Sequence, residues 1–342
     1  MNNEREIYFS FFMFAANFDI ADEAFLEQGL GHVLALADMG YAGCEFHPGR
    51  SAVIDAVFPT YEEETAAYAA YRQRLDDNGA GAMKIATNVA ATVDRDPSSS
   101  DPAVRDDALA FLKSRVDITA ALRGDIMMGP MLIPYGAFVV DAPNGTPVWS
   151  DALQDELTRR YQNAQPVFEE LGAYARGRGV RLAIEPITHW ETPGPNTLAQ
   201  LLEFLGHVTE QSVGAVIDSA HETLDGAGPE VFAGQVQNLA RAQRLHYAQA
   251  SAPDRGSLQH TWLPWQGVFG PVTQHYAGPI AVEIFNAVPV FDEGLRLTRR
   301  KYWIPDVDPP GQGPSAYDVA RASLAVARER LEELDRRTCR SQ

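Results

Sequence analysis

The chain has 342 residues, 45% hydrophobic and 22% charged, which is enough apolar material for one large core or two ordinary ones. Acids exceed bases to a formal charge of −18, which argues against an extended phosphate-backbone footprint and so against nucleic acid as a partner. Cys44 and Cys339 are too few for a disulfide framework and lack metal-ligand spacing, and the amino-terminal apolar run is too short for a signal or a membrane span, so a soluble cytoplasmic protein is expected.

Short apolar runs alternate with longer stretches of helical spacing along the whole chain. YFSFFMF from Tyr8 reads as the first strand and sets Phe11, Phe12 and Phe14 at its end. A helix over 23–39 stops at Gly40, and AGCEFH from Ala42 is the second strand. Next come a helix over 61–77, a stop at Gly79, and AMKIATNV from Ala82. A helix over 104–122 stops before Gly124, DIMMGPM runs from Asp125, and a helix over 155–176 ends ahead of Gly179. The last four runs are VRLAIEP, VGAVIDS, LHYAQAS and PIAVEIF, with Asn196 and Thr197 as candidate caps for the helix after the first of them. Ser315 is placed to cap a final helix over 317–334, and 335–342 reads as a charged end that frays into a tail.

Eight such strands, with right-handed βα connections, predict a single-domain (β/α)8 TIM barrel over 1–342, with active groups on the loops after the strands. A doubly wound open sheet is the runner-up, but no Gly-x-Gly-x-x-Gly follows the first strand. The connections 91–103, 134–150 and 286–314, the last a long loop after strand eight, exceed the usual few residues and read as lids or specificity walls.

Glu185, Asp218, Gln249 and Glu283 stand at the C-terminal ends of the last four runs. Strands covered on both faces leave a carboxylate there costly unless it is paired, and a divalent cation resolves that cost. Three carboxylates with an amide oxygen form a hard site, suited to Mn²⁺ first and Mg²⁺ second. Pairing with arginines, or capping of helices, is the alternative. His246 competes with Gln249 as the third-strand ligand; the two have opposite parity, so a regular strand points only one of them inward.

These residues resemble the sugar phosphate isomerase/epimerase group of xylose-isomerase-like TIM barrels, over about 40–325 and most specifically around the last four strands. The resemblance implies that Glu185, Asp218, Gln249 and Glu283 hold the metal and that Glu185 and Glu283 are the acid/base pair. It also implies substrate contacts by Glu191 in EPITHWE, His221 in DSAH and Arg255, which follows Gln249 by six residues. Ketose epimerases carry His at the third ligand; Gln249 is similar instead to hydroxypyruvate isomerases and dehydroshikimate dehydratases. The segments HWETPGPNT, SAPDRG and TRRKYWIP look like the large subunits of C-glycoside deglycosidases. That likeness implies β-elimination from a 3-oxo-C-glycoside, and a small β-rich partner subunit in a higher hetero-oligomer.

His189, four residues past a ligand, is a further acid/base candidate, and His260 a weaker one; His32, His207 and His275 fall in helical stretches and read as structural. Trp190, Trp262, Trp265 and Trp303 fall in the later loops, with Trp262 and Trp303 taken as substrate contacts, because aromatic rings stack on sugars and aryl groups. No Gly-rich loop or basic cluster offers a phosphate site, so an unphosphorylated sugar or glycoside is expected. Abstraction of a proton beside a carbonyl, leading to elimination, is the reading these features favour. Aldose–ketose isomerisation or ketose 3-epimerisation is the alternative, and a non-catalytic sugar-binding barrel is the reading of another class.

Overall fold

A computed structural model describes residues 5–138 apart from 50, 52, 54 and 55, together with 151–285 and 302–341. The strands β1 (Ile7–Ser10), β2 (Gly43–Phe46), β3 (Lys84–Asn88), β4 (Ile126–Gly129), β5 (Arg181–Ile184), β6 (Val213–Asp218), β7 (Leu245–Ser251) and β8 (Ile280–Glu283) close a barrel in chain order. All neighbours pair in parallel, and β1 meets β8 through Ile7 opposite Ile280. Around them lie α1 (Glu23–Met39), α2 (Tyr61–Leu75), α3 (Pro102–Ala121), α4 (Asp151–Gly177), α5 (Leu198–His207), α6 (Ser219–Asp225), α7 (Pro229–Arg241), α8 (Trp265–His275) and α9 (Ala316–Ser341). Among the described residues, no helix is long and apolar enough to cross a membrane.

The parity of the strands builds the inside of the barrel. Tyr8, Ala86, Ile126, Met128, Ala183, Val216, Tyr247 and Ala281 pack together as one buried cluster inside it. Side chains two residues further along a strand point the same way, one layer higher. That next layer is Ser10, Glu45, Asn88, Glu185, Asp218, Gln249 and Glu283. Gly43 lies at the lower level of β2, where a Cβ would stand 2.5 Å from the Lys84 carbonyl and 2.8 Å from the Tyr8 ring; its lack of a side chain makes room for Tyr8. The larger core lies outside the strands, between barrel and helices.

Caps follow the sequence signals. Thr197 accepts from the Gln200 N–H, and Gln200 reaches back to the Thr197 N–H, a capping box at the start of α5. Ser315 and Asp318 form the equivalent pair at α9. Gly40 ends α1 at φ 98°, in the left-handed region that favours glycine.

Three expectations are corrected. The first strand ends at Ser10, not beyond Met13; Phe11–Met13 form one 3₁₀ turn that buries Phe11 and Met13 beneath the barrel mouth. The second helix passes at Asp76 into a wider turn, Asp76–Ala80, that holds Gly79 at φ 89°. The last helix continues to Ser341, where fraying is expected from 335, because Asp335 pairs with Arg5 at 3.3 Å and Arg337 pairs with Glu333 at 2.6 Å and Gln266 at 3.0 Å. Residues 139–150 of the second long connection and 286–301 of the third lie outside the described residues. The first, 91–103, is held by a Thr92–Arg95 bridge and by Asp96, which accepts from the Ser98 N–H and from Arg160, each at 2.8 Å.

Candidate active site

The upper layer converges at the C-terminal mouth of the barrel. Glu185, Asp218, Gln249 and Glu283 are each 0–5% exposed. Glu185 follows β5, its N–H bonded to the Gly129 carbonyl at 3.0 Å. Asp218 ends β6 and spends one oxygen capping α6, through the Ala220 N–H at 2.7 Å. Its other oxygen accepts from Arg255. Arg255 Nη1 also donates to Glu283 at 2.8 Å and to Ser251 at 2.6 Å, and Nη2 donates to His221 Nε2 at 2.8 Å. His221 Nε2 is 3.5 Å from Glu185 and 3.5 Å from Asp218. Glu191 accepts from Thr188 and stands 3.8 Å from His221 Nδ1.

Burial sets the electrostatics. Desolvation pushes the Glu185 and Glu283 carboxyls well above the usual range, and the charge of Asp218 adds to the push. Asp218 is desolvated too, but the Arg255 guanidinium outweighs this and holds its carboxyl below the usual value. Burial, then Arg255, lowers the His221 imidazole to about 3, so it is neutral and acts as a hydrogen-bonding group. Glu191 is raised, chiefly by burial.

The residues fit a divalent cation. Ligand atoms of Glu185, Asp218 and His221 lie within 4.8 Å of one another. Gln249 Oε1 is buried without a hydrogen-bond partner, while its amide nitrogen is fully engaged. Arg255 brings one positive charge between Asp218 and Glu283, the arginine pairing that the sequence left open, and compensates part of the acid layer. Three carboxylates with an amide oxygen favour a hard ion.

Of the two candidates on β7, Gln249 faces inward. His246 lies on the outside across Gly214, where a Cβ would be 2.6 Å from its Nδ1, and bonds the Leu182 carbonyl at 2.9 Å and the Gln243 carbonyl at 3.2 Å. His189 is not brought into the site: its side chain is 63% exposed and its Nδ1 pairs with Asp225 at 2.7 Å, because the turn after β5 points it to solvent. Trp262 is 94% exposed, and Trp303 donates to the Gly313 carbonyl at 3.1 Å; neither lines the cavity. Trp190 is about half exposed, and Phe11 and Phe14 belong to the core.

A cavity of about 450 Å³ opens above the layer. Glu185, Glu191, His221, Arg255 and Glu283 form its polar wall, and Phe12, Ala16, Ala90, Ala91, Val93 and Phe111 line the side nearer β1 and β3. Sequence reasoning missed Glu45 and His47 at the end of β2. Glu45 is fully buried beside Gln249, and His47 lines the cavity with its ring stacked 3.4 Å from that of Phe12. Glu45 carried the same signal as Glu185, a carboxylate near the end of a strand covered on both faces.

A closed βα barrel with a carboxylate layer at its C-terminal mouth defines the class, and the chain belongs to the xylose isomerase-like TIM barrel family, whose sequence profile matches residues 33–301. Among solved structures it is similar to a protein from Anabaena variabilis provisionally described as a sugar phosphate isomerase/epimerase: 52% identity over 96% of this chain and 99% of that one, with a TM-score of 0.90. An L-ribulose 3-epimerase structure shares the fold at a TM-score of 0.73 and 20% identity, covering 97% of this chain and 96% of that one. An L-ribulose 3-epimerase of Methylomonas sp. (strain DH-1) is 25% identical over 193 residues, 56% of this chain, and the match spans 61% of that relative's length.

Proposed function

We propose that the protein is a divalent-metal-dependent sugar isomerase or epimerase that moves a proton at a carbon next to a carbonyl. The observation that carries this is the pairing of two buried carboxyls, Glu185 and Glu283, both pushed towards protonation, on one layer with Asp218 and Gln249 beneath a sugar-sized cavity. The 3-epimerases among the relatives support isomerase/epimerase chemistry over elimination, which reverses the order favoured by the sequence alone.

A divalent ion held by Glu185, Asp218, Gln249 and Glu283, Mn²⁺ first and Mg²⁺ second, would supply Lewis-acid polarisation of the carbonyl. One of Glu185 and Glu283 takes the proton from the adjacent carbon as its carboxylate, and the other returns a proton. Without a cation, burial raises the proton affinity of both carboxyls; the charge of a bound ion opposes that rise and favours the carboxylate form that accepts the proton. Arg255 and neutral His221 orient hydroxyls, and Glu191 accepts from another.

Elimination from a 3-oxo-C-glycoside, with a small β-rich partner subunit, is the second reading. The apolar wall of Phe12, Ala90, Ala91, Val93 and Phe111 favours it, since a bare ketose has little apolar surface to place there. Incubation with Mn²⁺ in D₂O separates the readings. Deuterium entering a free ketose without aglycone release supports the isomerase/epimerase; aglycone release from a 3-oxo-C-glycoside with no exchange into any ketose refutes it. Mn²⁺ and sugar binding with neither reaction would leave a binding barrel.

A further inference from the structure

Gln249 differs from the other three residues of the layer in having two unlike ends. A carboxylate offers a cation either oxygen, whereas an amide turned the wrong way offers N–H, which repels it. The orientation of Gln249 is imposed by its neighbours. One end of the amide lies 3.1 Å from both oxygens of Glu45 and 3.1 Å from Glu283 Oε1, and three carboxylate oxygens around one atom require that atom to be the nitrogen. The other end, Oε1, is buried and has no partner.

Glu283 belongs to the set of cation ligands, so its oxygens are shared with the ion. Glu45 is the partner committed to the amide. It is fully buried, near the end of β2, three strands from β7 around the closed barrel, and its other polar neighbours include Asn88 Nδ2 at 3.4 Å, His47 Nε2 at 3.4 Å and the Tyr247 side chain. Neither Asn88 nor His47 competes with Gln249 for orientation, because Asn88 donates to Glu45 as Gln249 does, and the His47 Nε2 near Glu45 is shared with Ser10 Oγ, 3.2 Å away, rather than turned to the Gln249 amide.

We propose that Glu45 is a positioning residue: it anchors the Gln249 amide nitrogen and so leaves the carbonyl oxygen as the atom available to a divalent cation. This rests on the reading of Gln249 as a cation ligand. The same contact makes that oxygen a better donor of electron density, as a carboxylate behind a metal-bound histidine does. A neutral amide then serves where the alternative is a side chain with no wrong end.

The test is Mn²⁺ affinity, measured by isothermal titration on the full chain in a set of variants. With Gln249 intact, Glu45→Gln is expected to weaken Mn²⁺ binding about 10–100-fold, because the amide introduced on β2 can turn its own N–H towards the Gln249 oxygen. Glu45→Asp keeps the charge but withdraws the carboxylate, and is expected to weaken binding as well; it stands in if Glu45→Gln does not fold, as judged by circular dichroism of the metal-free protein. In a Gln249→Glu background the ligand has two equivalent oxygens, so adding Glu45→Gln should not weaken binding and removes a neighbouring like charge. Equal weakening by Glu45→Gln in both backgrounds would show that Glu45 acts by charge alone and would overturn the proposal. So would wild-type affinity in both Glu45 variants. Mn²⁺ binding that is unaffected by Asp218→Asn would instead overturn the cation site itself, and the proposal with it.

Discussion

Asp218 and Arg255 define the resting charge of the site. The guanidinium touches two carboxylates and one imidazole, so the cavity floor holds one fixed cation among several acids, two of which burial pushes towards protonation. Removing one partner of such a buried set leaves the others uncompensated. On β7, Gln249→Ala should weaken Mn²⁺ binding at least tenfold, while His246→Ala should leave it within about twofold and lower the melting temperature instead. Titration calorimetry beside thermal melts checks this ranking, and the reverse order would place the wrong residue in the site. The four strand-end residues were legible because a polar group in a strand covered on both faces needs a reason. His189 misled because distance along the chain from a ligand says nothing about the direction of a turn: Asp225 holds it outward. Glu45 and His47 went unread because the likeness to known barrels is concentrated on strands five to eight.

At the scale of elements, the barrel interior is a stack of layers, and the site is the layer above the apolar plug. Gly43 makes the lower layer fit at β2. Gly43→Ala puts a methyl against the Lys84 carbonyl and the Tyr8 ring and should cost about 1–3 kcal/mol by denaturant unfolding, with little change in Mn²⁺ affinity. In α6, Glu222 is pushed up to about 7, by burial first and by the charge of Asp218 second. Between the ordinary glutamate value of about 4.3 and that value, the folded chain holds a proton that the unfolded chain has lost. Its contribution therefore lowers stability as pH rises through this window and is constant above it. Melts of the metal-free Glu222→Gln variant should match wild type near pH 4 and gain on it up to about pH 7; a gap independent of pH would refute this assignment. Helix starts at Glu23 and Tyr61 are as the periodicity predicts, because Asp22 and Thr60 cap them through side-chain bonds to the first turn. The end of the first strand was not legible: YFSFFMF is apolar throughout, and what ends the strand at Ser10 is packing of Phe11 against Phe46 and Phe18, which come later in the chain.

Across the whole molecule, the wall on the β2 side is tied to the helical shell by a fully buried pair, Arg115 on α3 and Glu64 on α2. Arg115 also donates to the Pro48 carbonyl at 2.9 Å, and Ser51 donates to Glu64 at 3.1 Å, so this pair holds the loop after β2 that lines the cavity. Arg115→Ala should destabilise the fold by about 3–5 kcal/mol, because it removes a fully buried guanidinium that pairs with Glu64 and bonds the Pro48 carbonyl; chemical denaturation of the variant checks this. The fold was readable because eight strands with helical connections leave few topologies. The cavity's apolar side was not, because it is assembled from Phe12, Ala90, Val93 and Phe111 on three separate segments.

If Glu185 and Glu283 exchange a carbon-bound proton in a cation-dependent site, solvent hydrogen must enter the substrate. The most direct measurement is deuterium incorporation from D₂O at the carbon next to the carbonyl of a ketose, at saturating Mn²⁺, for wild type, Glu185→Gln and Glu283→Gln. Mass spectrometry should show incorporation by wild type, its loss with a chelator, and a drop of about 10²–10⁴-fold in each variant. Exchange at the wild-type rate in either Mn²⁺-loaded variant, or undiminished exchange with the chelator, would contradict the account.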